Sequence, residues 1–263
     1  MSLSSNQKKF VRNHYIKCFV VLSIQLFILS FFIGLWEFLA KNNLINTFIF
    51  SSPSSIIDCF IDLYKNNNLF IHIYTTLYET IIAFICGIGL GFIVAIILYL
   101  CPFLYKVIEP FLTMLNSLHK VAVGPILIIW FGANTESIII MALLINGIIS
   151  IMNILNGFNN TETIKIKMLQ SLHANKMQVL KYLIIPNSYR TIISSLKINI
   201  SMTLIGVIMG EFLVSKAGIG YLIIYGTQVF NLDLVMTGIV LLCIISFVLY
   251  KFISTLENIL IKS

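Results

Sequence analysis

Charged side chains are scarce in this chain: 17 Lys or Arg and 10 Asp or Glu among 263 residues, against 59% hydrophobic residues. A soluble domain of this length has no single core able to hide so much apolar surface, and the mean hydropathy of +0.98 points the same way. Catalytic signatures are missing too. There is no Gly-x-x-x-x-Gly-Lys loop to cradle a nucleotide, no Gly-x-Ser-x-Gly elbow and no acid-rich helix face for magnesium. The five cysteines, Cys18, Cys59, Cys86, Cys101 and Cys243, form no Cys-x-x-Cys pair and read as small hydrophobes. His14, His72, His119 and His173 are scattered, without the spacing that puts two metal ligands on one helix face. The expectation is a chain that does no covalent chemistry and binds no metal or cofactor itself.

What is abundant is long apolar runs. Six of them, at 18–40, 72–100, 106–131, 137–158, 191–214 and 234–256, reach the roughly 20 residues needed to cross a hydrocarbon core about 30 Å thick. They are continuous, whereas barrel strands alternate over about 10 residues. An all-α polytopic membrane protein with six transmembrane helices follows. The first run follows Lys8, Lys9, Arg12 and Lys17 but has no small-x-small cleavage site after it, so it reads as a retained anchor.

Cations set the orientation. With the amino terminus inside, Lys8, Lys9, Arg12, Lys17, Lys106, Lys165, Lys167, Lys176, Lys181, Arg190, Lys197, Lys251 and Lys262 fall on the inner side, and only Lys41, Lys65 and Lys216 on the outer. The net charge of +7 is thereby a matter of topology and of attraction to anionic inner-leaflet lipid; nothing else supports a nucleic-acid partner. The division is a basic cytoplasmic segment over 1–17 and a single membrane domain over 18–263, with both termini cytoplasmic.

Several local features carry more detail. Ser52 and Pro53 suit the N-cap and first turn of a short outer interfacial helix, with Ile56, Ile57, Phe60, Ile61 and Tyr64 on one face. Ala83, Gly87, Gly91 and Ala95 recur every four residues, as do Gly206 and Gly210, and are expected to pack helices closely within the subunit. Gly124-Pro125 predicts a kink or break in the third span. Lys120, beside His119 just before that break, sits deep enough that it must face protein or water. It either lines a pore favouring an anionic or polar solute or is paired internally with Glu79, Glu109 or Glu211. Glu37, Glu79 and Glu211 each lie near a span end and read as solvated anchors.

Between the fourth and fifth spans, 165–186 is the one hydrophilic, basic island, expected as an exposed polar helix. From about Ser52 to the carboxyl terminus the chain resembles the permease subunit of binding-protein-dependent ABC importers, in the branch handling nitrate, sulfonate, taurine and thiamine-precursor-type solutes. The pieces carrying the resemblance are Ser52-Pro53-Ser54, Lys120-Val121-Ala122-Val123-Gly124-Pro125 leading to Ile129-Trp130-Phe131-Gly132, Ser171-Leu172-His173-Ala174-Asn175 with Gln178 and Pro186, Gly210-Glu211-Phe212-Leu213, and Gly218-Ile219-Gly220-Tyr221-Leu222-Ile223. Candidate translocation-path residues are then His119, Lys120, Pro125, Trp130 and Glu211.

The resemblance implies that the loop at about 159–189 holds a cytoplasmic coupling helix gripped by a separate ATPase, with Lys167, Met168, Leu169, Ser171, Leu172, His173, Ala174 and Pro186 at the contact. Where the family has Glu-Ala-Ala this chain has Lys167-Met168-Leu169, and where it has Gly this chain has His173. Losing that Gly predicts a turn that is helical or otherwise rebuilt, and the charge reversal at Lys167 predicts an altered or acidic partner rim. Further implications are two ATPase subunits that bind the ATP, a second permease subunit, an external solute-binding protein, and residence in a bacterial cytoplasmic (inner) membrane. The residues alone leave an ion-coupled secondary transporter as the other class, although it would need intramembrane carboxylates or inverted halves with matched breaks.

Overall fold

The computed structural model describes residues 5–66, 68–118 and 120–262, with side chains described from residue 19 onward except at 22, 120, 121 and 262. His119 therefore lies outside the described residues, and only the backbone of Lys120 is described. The elements are α1 (Ser5–Lys41), α2 (Thr47–Phe50), α3 (Pro53–Lys65), α4 (Asn68–Leu100), α5 (Pro102–Ser117), a 3₁₀ turn (Lys120–Val123), α6 (Gly124–Phe131), α7 (Thr135–Asn159), α8 (Thr163–Ser171), α9 (Lys176–Val179), a π turn (Leu180–Ile184), α10 (Ile185–Val214), α11 (Ile219–Gln228) and α12 (Leu232–Lys262). No strand occurs among the described residues.

Five stretches are long and apolar enough to cross a membrane: Phe19–Lys41, Asn68–Leu100, Thr135–Asn159, Lys176–Val214 and Leu232–Ile261. The third expected run is not one helix. It is α5, a 3₁₀ turn and α6, because Leu118 is extended (φ −63°, ψ 140°) and Pro125, in the first turn of α6, has no N–H to continue a ladder. The expected break is thus present, and five long helices accompany one broken pair.

The short helix α3 starts as its residues predict. Ser52 Oγ accepts the Ser55 N–H at 3.1 Å, with Pro53 in the first turn. Of its apolar face only Ile56 is buried; Ile57, Phe60, Ile61 and Tyr64 remain exposed.

The centre of the bundle is α7, approached by α4 on one side and α10 on the other. Ala83, Gly87, Gly91 and Ala95 all turn toward the protein interior. A Cβ on Gly91 would lie 2.6 Å from Ser150 Cβ, and one on Gly206 would lie 2.7 Å from Ala142 Cα. The small-residue stripes therefore pack inside the subunit. That approach also lets Asn146 Nδ2 donate to the carbonyls of Ala83 (3.4 Å) and Phe84 (3.3 Å), while Ser150 Oγ donates to Asn146 Oδ1 (3.1 Å). The buried Asn146 amide is satisfied by α4 backbone that only small residues leave reachable.

The hydrophilic island departs from expectation. It is not one exposed polar helix: α8 ends at Ser171, and the chain turns and restarts as α9. From Val179 onward it packs into the core, with Leu180 and Ile184 fully buried beside Leu98, Ile154, Leu155 and Phe158. Pro186 explains the π turn, since without an N–H it cannot bond back to Tyr182, and the Ile185 N–H reaches Leu180 O instead. The fifth span is in consequence a continuous 39-residue stretch from Lys176 to Val214, about 58 Å long and far longer than the hydrocarbon core.

The packing predicts a contrast between two neighbouring glycines of α4. Gly91→Leu should destabilise the purified chain by about 1–3 kcal/mol through its collision with Ser150, whereas Gly89→Leu, with open space where its Cβ would go, should leave the melting temperature unchanged. Equal effects at both positions in a thermal melt in detergent would show that α4 does not contact α7 through this stripe.

Candidate functional site

Two places combine the sequence-predicted site residues with unusual geometry, one at each end of the bundle. The first is the α8–α9 segment. Glu162 precedes α8 and pairs with Lys165 at 3.0 Å, an exposed contact that contributes little. Two faces of the segment differ. Ile166, Leu169 and Ala174 pack against the buried cluster of α4, α7 and the π turn. Ile164, Met168 and Leu172, four residues apart, form an outward apolar row, 77%, 65% and 69% exposed. A row of apolar side chains exposed in this way has no cover within the chain.

Residues at the turn between the helices are positioned by backbone bonds. The Ala174 N–H donates to Leu169 O (3.1 Å) and the His173 N–H to Gln170 O (2.9 Å), the two bonds of a Schellman cap. That cap requires a left-handed residue, and His173 supplies it with φ +60°. The turn is therefore not helical; it is a left-handed cap with a side chain strained into it. The Asn175 N–H, donating to Gln178 Oε1 at 2.8 Å, then starts α9.

The structure thus gathers Lys167, Met168, Leu169, Ser171, Leu172, His173 and Ala174 on one short unit, with Leu169 and Ala174 on its inner side. Pro186 stands apart, in the first turn of α10 and exposed. Ile164 and Met177, both exposed, belong with the outward surface and were not singled out from the sequence; the four-residue spacing of Ile164, Met168 and Leu172 was the available signal.

The second place is a buried carboxylate at the opposite end. Glu211, near the end of α10, is fully buried. Thr76 Oγ1 of α4 donates to it at 2.6 Å, and the Gly220 N–H donates to its other oxygen. Thr76 Oγ1 in turn accepts the Ile219 N–H (2.9 Å), and His72 Nδ1 accepts the Gly218 N–H (3.0 Å). A carboxylate is thereby set against the amino-terminal turn of α11, where the helix dipole favours it. Gly218, at φ +115°, has to be glycine on two counts, since a Cβ there would run into the Glu211 carboxyl group.

Glu79, also fully buried, faces Glu211 and Thr135. Neither of its carboxyl oxygens makes a hydrogen bond of good geometry among the described residues. The expectation that Glu79 and Glu211 are solvated anchors is overturned: position near a span end placed them, but the α10–α11 turn folds back over them. Glu37 does stay partly exposed, pairing with Lys41 at 3.0 Å and accepting the Ser54 N–H at 3.1 Å. Of the other candidate path residues, Pro125 and Trp130 sit exposed on α6, Trp130 at 72%. Glu109, one partner considered for Lys120, accepts from Tyr105 Oη at 3.0 Å.

Beside α3, an open cleft of about 420 Å³ is lined by Ser55, Asp58, Asp62, Asn66, Asn231 and Asp233. Cys59 also borders it. Burial pushes its thiol up, with Asp233 and Asp62 adding to the effect, so it is a poor nucleophile at neutral pH.

The strain at His173 is testable. His173→Gly should stabilise the turn by about 1 kcal/mol, slowing hydrogen exchange of the Ala174 amide about fivefold. Faster exchange in that variant would mean that the left-handed cap is not the solution conformation.

Comparisons with known proteins agree on one class. The family model described as the binding-protein-dependent transport system inner membrane component matches residues 87–262. A Bacillus subtilis protein assigned to aliphatic sulfonates transport as permease protein SsuC is 24% identical over 88% of this chain and 83% of its own length. The taurine transport system permease protein TauC of Escherichia coli is 23% identical over 84% of this chain and 82% of its own. The formylaminopyrimidine transport permease protein ThiX of Halalkalibacterium halodurans is 24% identical over 86% and 90%. Among solved structures, an inward-facing MetNI methionine ABC transporter shares the fold with a TM-score of 0.61, at 16% identity over 71% of this chain and 93% of that one. The chain belongs to the binding-protein-dependent transport system inner membrane component family, as an ABC-importer permease subunit and not an enzyme.

Proposed function

We propose that this chain forms one half of the pore of an ATP-driven importer for a small anionic or polar solute of the sulfonate, taurine or thiamine-precursor kind. The relatives named above support the solute class. The observation that carries the coupling role is the outward row Ile164, Met168 and Leu172, on a unit whose other face is locked into the bundle core. Force applied there reaches α7 and α10 without passing through a loose linker.

In this reading residues 1–17 are a basic cytoplasmic segment, 18–263 are the membrane domain, and 159–189 are the coupling loop, with both termini in the cytoplasm as the cation distribution favours. Two cytoplasmic ATPase subunits bind and hydrolyse the ATP. Each grips one coupling unit through Lys167, Met168, Ser171, Leu172 and His173, while Leu169, Ala174 and Pro186 support that unit from behind or beyond. A second permease subunit, identical or closely related, completes the path, and α6 with Pro125 and Trp130 borders it together with Lys120 and His119. Glu211 acts on the path indirectly, by holding α11. Closure of the ATPases swings the two halves as rigid bodies, opening the path to one side and then the other. An extracytoplasmic solute-binding protein delivers cargo to the outer rim at 52–66, 132–136 and 216–231, where the cleft lined by Asp58, Asp62 and Asp233 offers it an acidic surface.

Glu79 and Glu211 are intramembrane carboxylates of the sort an ion-coupled carrier uses, but Glu211 is committed to α11. The deciding experiment is co-purification with the ATPase. A Met168→Asp, Leu172→Asp double variant should lose at least about tenfold of the bound ATPase, since each buried apolar side chain contributes about 1.5–3 kcal/mol. An ATPase retained in full by the double variant, or uptake driven by an ion gradient without ATP, would contradict the proposal.

A further inference from the structure

One buried acid is left without a partner. Glu79 of α4 and Glu211 of α10 are both wholly closed off from solvent, and their carboxyl groups face each other. Their surroundings differ. Glu211 is supplied with donors, Thr76 Oγ1 on one oxygen and the Gly220 N–H on the other, with the Tyr221 N–H beside them. Glu79 receives none of good geometry, and both of its oxygens are unpartnered among the described residues. No lysine or arginine forms an ion pair with either group there.

Two ionised carboxylates do not rest face to face in a site closed to water, because their repulsion adds to the cost of desolvating each. A metal cation or a proton can relieve such a pair. A hard divalent cation asks for about six oxygens, and the neighbouring hydroxyls are committed elsewhere. Thr76 Oγ1 donates to Glu211 while accepting the Ile219 N–H, and Thr80 Oγ1 donates to Thr76 O. A proton needs only the two carboxyls. It also removes the anomaly at Glu79, since two carboxylates can only accept, whereas a neutral acid donates. Glu211, with its donors already in place, keeps the remaining charge, and the positive ends of α11 at Gly220 and of α7 at Thr135 lie beside the pair.

We propose that Glu79 is held as the neutral acid and donates its proton to Glu211, so that one proton fastens α4 to the turn between α10 and α11. Glu79 is then a positioning residue that acts through Glu211. Swinging the turn open lets water reach both carboxyls, and the proton passes from the Glu79 carboxyl oxygen to water; closing the turn takes one back. Opening is thereby linked to the release of one proton, so the closed turn is favoured in acid and loses ground as pH rises. The other titratable groups around the pair are His72, half-buried with Tyr221 stacked on it, and the exposed Lys216 of the turn and Glu136 of α7. Asp233 of α12 is engaged by Ser51, and α6 carries no titratable side chain. His72 Nδ1 accepts the Gly218 N–H, so protonating His72 would break that bond and act in the opposite sense.

The test uses the full-length chain in lipid nanodiscs, with glutamate labelled by heavy carbon at its side-chain carboxyl. Infrared spectra at neutral pH should show a carboxylic-acid carbonyl band that moves with the label and is absent from Glu79→Gln. The remaining glutamates, Glu37, Glu109, Glu136, Glu162 and Glu257, are exposed or paired with a lysine and should give no such band. Hydrogen exchange of the Gly220 amide, corrected for its base-catalysed rate, should speed between about pH 6.5 and about pH 8.5 by up to about tenfold per unit, the limit for one proton. In Glu79→Gln an amide N–H replaces the acid O–H toward Glu211, and that extra slope should vanish, while any slope from His72, Lys216 or Glu136 stays. A missing acid band, or an equal slope in the variant, would overturn the assignment. So would a melting temperature raised by sodium or calcium ions in the unaltered chain but not in Glu79→Gln, which would give the pair to a cation. If Glu79→Gln does not fold, the labelled band of the unaltered chain decides alone: its presence supports the shared proton and its absence removes it.

Discussion

In a bilayer, helices gain little by hiding apolar side chains from one another, because lipid tails are as apolar as leucine. Cohesion therefore rests on how near α7 comes to α4 and α10, and that distance is set by Gly87, Gly91, Gly206 and Gly210. Close approach does two things at once. It packs backbone against backbone, and it brings the α4 carbonyls within reach of Asn146, so that a polar side chain at the centre of the bundle becomes a cross-link rather than a penalty.

The two ends of the molecule are built onto that centre. At one end Phe158 of α7 meets Phe92 and Tyr99 edge-on, and the same cluster receives Leu180 and Ile184, so the α8–α9 unit grows directly out of the core. At the other end Glu211, carried by α10, fixes the start of α11 through Gly220 and is steadied by Thr76 of α4. The α8–α9 unit and the α11 turn are thereby both tied to α10. The α5–α6 pair stands loosely beside this frame, with Ile129 and Trp130 open at 80% and 72%, and so does α1, whose side chains are exposed over 23–35.

Features with a period were legible in the sequence. The stripe from Ala83 to Ala95 repeats once per turn, and the break at Gly124-Pro125 follows from a missing N–H; both are local consequences of residue type. The start of α3 at Ser52-Pro53 is of the same kind. The burial of Glu79 and Glu211 does not follow from their place along the chain, because it comes from the α10–α11 turn folding back over them. Leu180 and Ile184 were hidden within a basic stretch, and only packing against Phe158 shows that half of that stretch is core. His173 could not have been placed from its type, since a left-handed cap normally announces itself by glycine.

The account stands or falls on whether the α8–α9 unit moves with the bundle under the action of a motor. Spin labels at Met168→Cys in the two permease copies of the assembled transporter measure this directly by pulsed electron paramagnetic resonance. The distance between them is predicted to shorten by several ångströms when ATP is bound and to lengthen again after hydrolysis. One unchanged distribution through the ATP cycle would contradict the account.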